Sequence, residues 1–207
     1  MRMISFNEMF AFVIYMSKKY NIDTSHSETH SMDVLHHAHN IYQSELDMFP
    51  QLERQKNVIY AAAILHDMCD KKYVDESVGI VEIEKFLDQK MNLEEIHYTK
   101  EIISTMSYST VKKRGYPNLN EYQMAYHVVR EADLLSSYDF DRAMIYHMHK
   151  GNSLTKSYNN ALEIFHNRVF NYNSDKLLLT DYSQQLSAKL ALQAVKRMTV
   201  WGNIINM

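Results

Sequence analysis

The sequence predicts an all-α protein, and three observations lead to this fold class. The 207 residues include only four glycines and two prolines, whereas a fold built of strands needs a turn residue roughly every 8–12 positions. Apolar residues recur over long stretches at the spacing of one helix face. No stretch of useful length alternates between apolar and polar residues, as a half-buried strand would. With about 150 residues as a typical domain size, the length indicates a single domain.

The first two helices are predicted from this spacing. The first covers residues 5–19, and a polar segment separates it from the second. Ser25 and Glu28 fit a capping box, in which the serine hydroxyl accepts from an early helical N–H and the glutamate reaches back to the cap. Along the second helix, side chains from His30 to Ile41 fall at i, i+4, i+7, i+8 and i+11, which is one face of a helix.

The third predicted helix, over residues 51–69, is the most informative segment. It begins polar and becomes almost wholly apolar between Val58 and Leu65. A helix that is apolar all round is a buried one. It then ends in His66 and Asp67. Ionisable side chains at a buried position are costly unless they are paired or bind a metal ion, so we expect one of these states for both residues.

Six further helices are predicted from the same spacing, with short loops between them. They cover residues 76–89, 92–107, 120–135, 137–149, 155–171 and 181–201. The longest predicted loop is 110–118, where Gly115 and Pro117 interrupt regular structure. Asp133 lies on an otherwise apolar helix. A carboxylate in such a position needs a partner, and a divalent cation is one candidate.

The charge balance and the single cysteine exclude several classes of protein. Twenty-two basic and 25 acidic residues give a net charge of −3. The sequence therefore lacks the basic surface that neutralises a phosphate backbone, and we expect no duplex nucleic acid as a partner. The lone Cys69 cannot form an internal disulfide, which indicates a reducing, cytoplasmic location. Its expected role is packing and not nucleophilic attack.

No membrane partner is expected either. The most apolar run near the start covers residues 9–16, only eight positions, whereas crossing a bilayer takes about 20. No small-residue cleavage site follows this run, so the sequence predicts neither a signal peptide nor a transmembrane segment.

Four residues together suggest a metal site: His30, His66, Asp67 and Asp133. Two imidazoles and two carboxylates form a mixed nitrogen and oxygen set that suits Mn²⁺, Fe²⁺, Co²⁺, Ni²⁺, Zn²⁺ or, less well, Mg²⁺. Four protein ligands around an octahedral ion leave two positions for water and substrate. Such an open site lowers the pKa of a bound water and polarises a phosphoryl oxygen. From spacing alone, hydrogen-bonded core histidines and helix-capping aspartates explain the same residues.

The same residues, in the same order, resemble the HD-domain phosphohydrolase superfamily. Its pattern is a His, then a His-Asp pair after a buried helix, then a distant Asp, all ligands of one metal ion. Three local segments also resemble the bacterial nucleotide pyrophosphohydrolase branch of that superfamily. They are Ser25-His26-x-x-x-His30, Ala62-Ala-Ile-Leu-His-Asp-Met-Cys-Asp-Lys-Lys-Tyr73 and Ile102-Ile-Ser-Thr-Met-Ser-Tyr-Ser109.

The resemblance implies a fold, a cofactor and a reaction. The matches cover about residues 22–140, and a weaker likeness continues to Met198. They imply one HD-type helical domain over residues 1–207, with its core at about 22–140 and C-terminal helices at about 155–201 packed on it. One divalent ion, Mn²⁺ as the first expectation, would be the cofactor. The implied reaction is hydrolysis of a nucleotide or another small phosphate ester, and the branch cleaves nucleoside triphosphates to monophosphate and pyrophosphate.

The resemblance also suggests roles for residues around the metal. Asp67 would act as a catalytic metal ligand. Asp70, about one turn further on, would orient or deprotonate the attacking water. Lys72 would neutralise a substrate phosphate. The alternatives are a helix-capping Asp70 and a solvated Lys72.

Other residues are candidates for substrate binding. His26 would contact a phosphate together with Lys72, and the basic loop at Lys112 and Lys113 would reach a polyphosphate. The alternatives are a cap-region histidine at His26 and, as the commoner explanation for Lys112 and Lys113, an ordinary run of solvated charges.

Two other functions stay open. The sequence departs from the branch at Asp33, where the branch often has Arg, and at Leu134-Leu135-Ser136, where it usually has Arg-Leu-Asp. These departures motivate a non-catalytic sensor or interaction module that keeps the metal and nucleotide site. A helical interaction protein without metal is the third reading. The sequence also leaves a homodimer open.

Overall fold

The computed structural model describes residues 4–206, and residues 1–3 and 207 lie outside this part. Ten α-helices and no strand occur within the described part, so the predicted all-α class is confirmed. The helices are α1 Phe6–Tyr20, α2 Glu28–Glu45, α3 Leu52–Leu65, α4 Glu76–Leu87, α5 Leu93–Thr105, α6 Tyr108–Arg114, α7 Gln123–Ser136, α8 Phe140–His149, α9 Leu154–Asn167 and α10 Asp181–Ile205. Short 3₁₀ turns cover Thr24–His26, His66–Cys69, Asn120–Tyr122 and Val169–Asn171.

Helix α3 lies at the centre of the core, as its composition predicts. Every residue from Asn57 to Leu65 is buried, and the helix packs against α1, α2, α5 and α7. Helices α2 and α7 also pack extensively against each other. The end of α3 therefore meets the first turn of α2 and the last turn of α7, which is where the predicted metal ligands lie.

The third helix ends earlier than predicted. It stops at Leu65, and residues His66–Cys69 form a tighter 3₁₀ turn. The backbone N–H of Asp70 donates to the carbonyl of Asp67 at 3.2 Å, which closes this turn. An i to i+3 turn of this kind is common at the end of an α-helix.

The predicted loop 110–118 is wrong in its first half, because residues Tyr108–Arg114 form helix α6. The Ser107 side chain caps its start by accepting from the backbone N–H of Thr110 at 3.3 Å. Gly115 ends the helix with a φ of 76°, a left-handed conformation that glycine adopts readily.

The capping box predicted at Ser25 is also wrong. Residues Thr24–His26 form a 3₁₀ turn, and α2 begins only at Glu28. The Asp23 carboxylate accepts from the Ser25 backbone N–H at 2.9 Å, and the Ser25 hydroxyl donates to the same carboxylate. Because Asp23 caps this turn, the Ser25 hydroxyl is not available to cap α2.

The C-terminal third forms a layer of three helices. Helix α8 packs against α9, and α10 packs against α7, α8 and α9. The predicted helix 137–149 begins later, because the Asp139 side chain caps it by accepting from the Arg142 N–H at 3.1 Å. The predicted helix 155–171 is broken at Arg168, whose φ and ψ of −138° and −64° are not helical.

Among residues 4–206, no helix is both long enough and apolar enough to cross a bilayer.

Candidate metal centre

The structure brings the four predicted metal ligands together between three helices. His30 comes from the buried face of α2, His66 and Asp67 from the 3₁₀ turn after α3, and Asp133 from the last turn of α7. His30 and His66 are almost fully buried, whereas the two aspartates are partly buried. Apolar packing of α2, α3 and α7 thus holds the site rigidly.

Their ligand atoms converge on one point. The Nε2 atoms of His30 and His66 lie 3.1 Å apart. The Oδ2 atom of Asp67 lies 3.3 Å from Nε2 of His30 and 3.4 Å from Nε2 of His66. The Oδ1 atom of Asp133 lies 3.4 Å and 3.7 Å from the same two nitrogens. Atoms of His30, His66 and Asp133 all lie within 4.8 Å of one another.

The donor set fits a divalent ion. Ligand atoms bound about 2.1 Å from one ion lie about 3.0–3.4 Å apart at octahedral or tetrahedral angles, close to the spacings here. The Oδ2 atom of Asp67 is buried and makes no hydrogen bond of acceptable geometry among the described residues. A buried carboxylate oxygen without a donor is costly, and a cation at this point would satisfy it.

Outer contacts orient both imidazoles toward the centre. Nδ1 of His66 donates to the carbonyl of Ala63 at 3.0 Å. The Ser136 hydroxyl donates to the carbonyl of Asp133 at 2.9 Å and lies 3.4 Å from Nδ1 of His30. With its own proton so placed, the Ser136 oxygen accepts from the His30 Nδ1–H. Each Nδ1 thus has an outer partner and each Nε2 faces the centre, the orientation that metal-binding histidines have.

The two ionised aspartates give the site a negative potential that favours a bound cation. Burial, and then the charge of Arg142, lowers the pKa of His30 to about 4, so this imidazole is neutral at pH 7. Burial acts to lower the pKa of His66 as well, but the Asp67 carboxylate and then Asp133 outweigh it and raise that pKa to about 9. Although burial opposes ionisation of Asp67 and Asp133, the two imidazoles hold their pKa values well below the usual range.

A cavity of about 660 Å³ opens onto the four ligands. Three of the four predicted binding residues, His26, Lys72 and Lys113, line it, and so does Asp70. Lys112 does not line the cavity, which contradicts the prediction for that residue. Its Nζ lies 2.8 Å from Oδ2 of Asp175, because α6 turns this side chain outward.

The predicted accessory residues form a connected chain at the cavity wall. Nε2 of His26 lies 3.3 Å from Nζ of Lys72. Nζ of Lys72 lies 3.1 Å from Oδ2 of Asp70, whose Oδ1 accepts from the Lys72 backbone N–H at 2.9 Å. Nδ1 of His26 lies 3.0 Å from the Tyr73 hydroxyl, which donates to Asp23. The imidazole of His26 is thus fixed from both sides.

Two arginines of the cavity wall were not predicted. Arg142 donates from Nη1 to the carbonyl of Ser25 at 3.0 Å, a residue 117 positions away in the sequence. Arg168 lines the cavity at the break after α9. It lies inside a stretch with helical periodicity, and no local signal marks that break.

The 3₁₀ turn that carries His66 and Asp67 is supported from behind by α4. Gly79 of α4 is buried against Cys69, the last residue of the turn. Burial raises the pKa of the Cys69 thiol to about 12, so the thiolate needed for nucleophilic attack is absent at neutral pH. This agrees with the expected packing role of Cys69.

The comparisons with known proteins are informative about the fold. No family model matches the sequence, and no curated protein matches it. The chain is similar to the crystal structure of a protein from Lactobacillus plantarum that was a structural genomics target, with a TM-score of 0.70 and 20% sequence identity over 99% of both chains. At this identity the similarity shows a shared fold and nothing about activity.

Proposed function

We propose that this protein is a metal-dependent phosphohydrolase of the HD type that acts on a small phosphorylated molecule, with a nucleotide as the first substrate to test. One observation carries the proposal. Two imidazoles and two carboxylates, from three separate parts of the chain, converge at the floor of a cavity whose wall is rich in cationic side chains.

His30, His66, Asp67 and Asp133 would hold one divalent ion, with Mn²⁺ as the first candidate among the metals that accept nitrogen and oxygen ligands. When bound, such an ion supplies a Lewis acid for a phosphoryl oxygen and lowers the pKa of a water ligand. The remaining chemistry falls to side chains of the cavity wall.

The cavity wall is suited to an anionic substrate. Among the described residues, five of its cationic side chains form no ion pair with a carboxylate. They are Lys71, Lys113, Arg114, Arg142 and Arg168. Phosphoryl transfer depends mainly on positioning and on charge stabilisation. In this proposal Lys72 and Arg142 neutralise the reacting phosphate, and Asp70 receives a proton from the attacking water as the bond from phosphorus to the leaving oxygen breaks.

The position of Asp70 also supports the alternative of a sensor that binds a nucleotide without turnover. Each oxygen of this carboxylate already contacts Lys72, one through the backbone N–H and one through Nζ. Asp70 acts on a water only when substrate phosphate draws the Lys72 ammonium away. A sensor would keep the contact in the bound state.

Activity and metal content of the Mn²⁺-loaded protein test the proposal together. We expect release of phosphate or pyrophosphate from at least one compound in a panel of nucleotides, phosphomonoesters and phosphodiesters. Asp67→Ala should lose both bound metal and activity, whereas Asp47→Ala, an exposed aspartate outside the cavity, should keep both.

Four results would count against the proposal. A fully metal-loaded wild type that is inactive on the whole panel would refute it, as would an Asp67→Ala variant with wild-type activity. Tight nucleotide binding in calorimetry without turnover would favour the sensor. Absence of metal after chelator-free purification, with no thermal shift on adding Mn²⁺, would favour an interaction protein without metal.

A further inference from the structure

Arg168 is held in the cavity by two tyrosines. Its guanidinium carbon lies 4.2 Å from the ring centroid of Tyr108, which is a cation–π contact. Its Nε donates to the hydroxyl of Tyr172 at 3.0 Å. Tyr172 is fully buried. Because the Arg168 side chain is fixed at its Nε and across one face, little conformational freedom remains to be lost when a ligand binds.

The outer edge of this guanidinium is free to bind a ligand. Neither Nη atom of Arg168 has a hydrogen-bond partner in the described part of the chain, and no carboxylate lies within ion-pair distance of it. The residue is partly buried and lines the cavity that contains the metal ligands. An arginine so placed presents two parallel N–H donors, which match two oxygens of a phosphoryl group.

The position of Arg168 relative to the metal centre is given by a short chain of contacts. Ser137 follows Asp133 by about one helical turn, or 5.4 Å of rise. The hydroxyls of Ser137 and Tyr172 lie 3.0 Å apart, and Tyr172 then accepts from Arg168. Arg168 is therefore near the metal centre but separated from it, whereas Arg142 donates to the carbonyl of Ser25, in the turn just before the helix of His30.

We propose that Arg168 binds a second, non-reacting phosphoryl group of the substrate. The cavity would then take molecules with two or more linked phosphoryl groups, one at the metal centre and another at Arg168, in preference to phosphate monoesters. This inference rests on the proposed function, and it narrows the substrate class. Lys113 and Arg114, on the same short helix as Tyr108, add positive charge at this end of the cavity.

Binding of uncleavable phosphonates tests this role directly. Full-length, Mn²⁺-loaded protein would be titrated by calorimetry, in excess free Mn²⁺, with methylphosphonate and with compounds that join two or three phosphoryl groups by methylene bridges. A nucleotide carrying the same methylene-bridged chain would be titrated in parallel. The variants are Arg168→Met, Arg168→Lys and, as a matched control, Arg54→Met, an exposed arginine outside the cavity.

We expect Arg168→Met to weaken binding of the longer chains by about 10- to 100-fold, the effect of removing charge-assisted hydrogen bonds. The affinity of Arg168→Met for methylphosphonate should stay within about twofold of the wild-type affinity, because a single phosphoryl group does not reach Arg168. Arg168→Lys should fall in between, because a lysine keeps the charge but not the paired donors. The nucleotide and the inorganic chain should lose the same factor if Arg168 contacts phosphate and not the base. Thermal melts would confirm that every variant is folded.

Three patterns would overturn the inference. Equal weakening of methylphosphonate and the longer chains would mean that Arg168 acts on the reacting phosphate or on the fold. No weakening of either, or a loss confined to the nucleotide, would mean that it binds no second phosphoryl group. If the expected binding pattern appears without turnover, only the proposed hydrolase activity fails. If turnover appears without this pattern, only the role of Arg168 fails.

Discussion

Gly79 offers a sharp test of how the fold positions the metal ligands. A Cβ atom added at this residue would lie 2.6 Å from both Cα and Cβ of Cys69 and 3.0 Å from the carbonyl oxygen of Met68. These atoms belong to the turn that carries His66 and Asp67. Since they are mostly backbone, they cannot rotate away, and helix α4 or the turn must move.

The expected loss of stability for Gly79→Ala follows from two opposing effects. Alanine in a helix interior is favoured over glycine by about 1 kcal/mol. Overpacking a tight contact costs about 1–3 kcal/mol, and three contacts of this closeness place Gly79 at the upper end. We expect a net loss of about 2 kcal/mol, which lowers the Tm by about 4–8 °C for a chain of this size.

The same substitution should weaken metal binding. Restoring ordinary van der Waals spacing requires a shift of several tenths of an ångström, and site geometry tolerates only about 0.5 Å. We expect the Mn²⁺ affinity to fall by about 10-fold or more, as it does when an outer contact of a metal ligand is lost.

Differential scanning calorimetry with and without Mn²⁺ measures both effects. Gly202→Ala is the matched control, because its added Cβ would meet the hydroxyl end of the Tyr158 side chain at 2.8 Å, and that side chain can move. We expect this control to keep its Mn²⁺ affinity and to melt close to the wild type. If Gly79→Ala melts at or above the wild-type temperature and binds Mn²⁺ normally, then α4 does not position the turn.

Three further outcomes are expected. Ser136→Ala should lower the Mn²⁺ affinity by about 10-fold in calorimetry, because His30 loses its outer hydrogen bond; an unchanged affinity would show that packing alone orients this ring. Burial, with a smaller effect of a nearby arginine, lowers the pKa of His127 in the folded protein to about 4 from 6.5. As the pH falls from 7, His127 is therefore protonated in the unfolded chain before it is protonated in the folded protein. The free energy of unfolding should then drop by about 2 kcal/mol between pH 7 and pH 5 in urea titrations, and His127→Gln should lack this part of the decrease; equal pH dependence in both proteins would contradict the assignment. Lys113→Met should raise the KM for a phosphorylated substrate more than Lys112→Met, since only Lys113 lines the cavity. A larger increase for Lys112→Met would mean that α6 turns Lys112, and not Lys113, toward the cavity.

Much of the fold was predictable because its signals are local. The apolar stretch before Leu65 predicts a buried helix from composition alone, and the burial of that stretch confirms it. The end of that helix was not predictable, because the 3₁₀ turn His66–Cys69 depends on α4 packing against it through Gly79. The helix α6 was missed because Gly115, which ends it, was interpreted as part of a loop.

The candidate site was predictable only in its centre. His66, Asp67 and Asp133 stand out because each places an ionisable group on a largely apolar helix, where it needs a partner. His30 joined them because it lies on the apolar face of its own helix and because the ordered set of four resembles the HD-domain pattern. That these four side chains meet at one point follows only from the packing of α2 against α3 and α7.

The sequence by itself determined that the chain is helical, because periodicity and the scarcity of glycine and proline act within each segment. It also indicated that His66, Asp67 and Asp133 would be desolvated, because each lies on a largely apolar helix. Only the tertiary structure decided which cations face the cavity. Lys112 pairs with Asp175, 63 positions away, and Arg168 is held against Tyr108, 60 positions away. The residues next to Lys112 or Arg168 in the sequence do not show which group each side chain will contact. Those partners come from segments that are distant in sequence and are brought close only by helix packing.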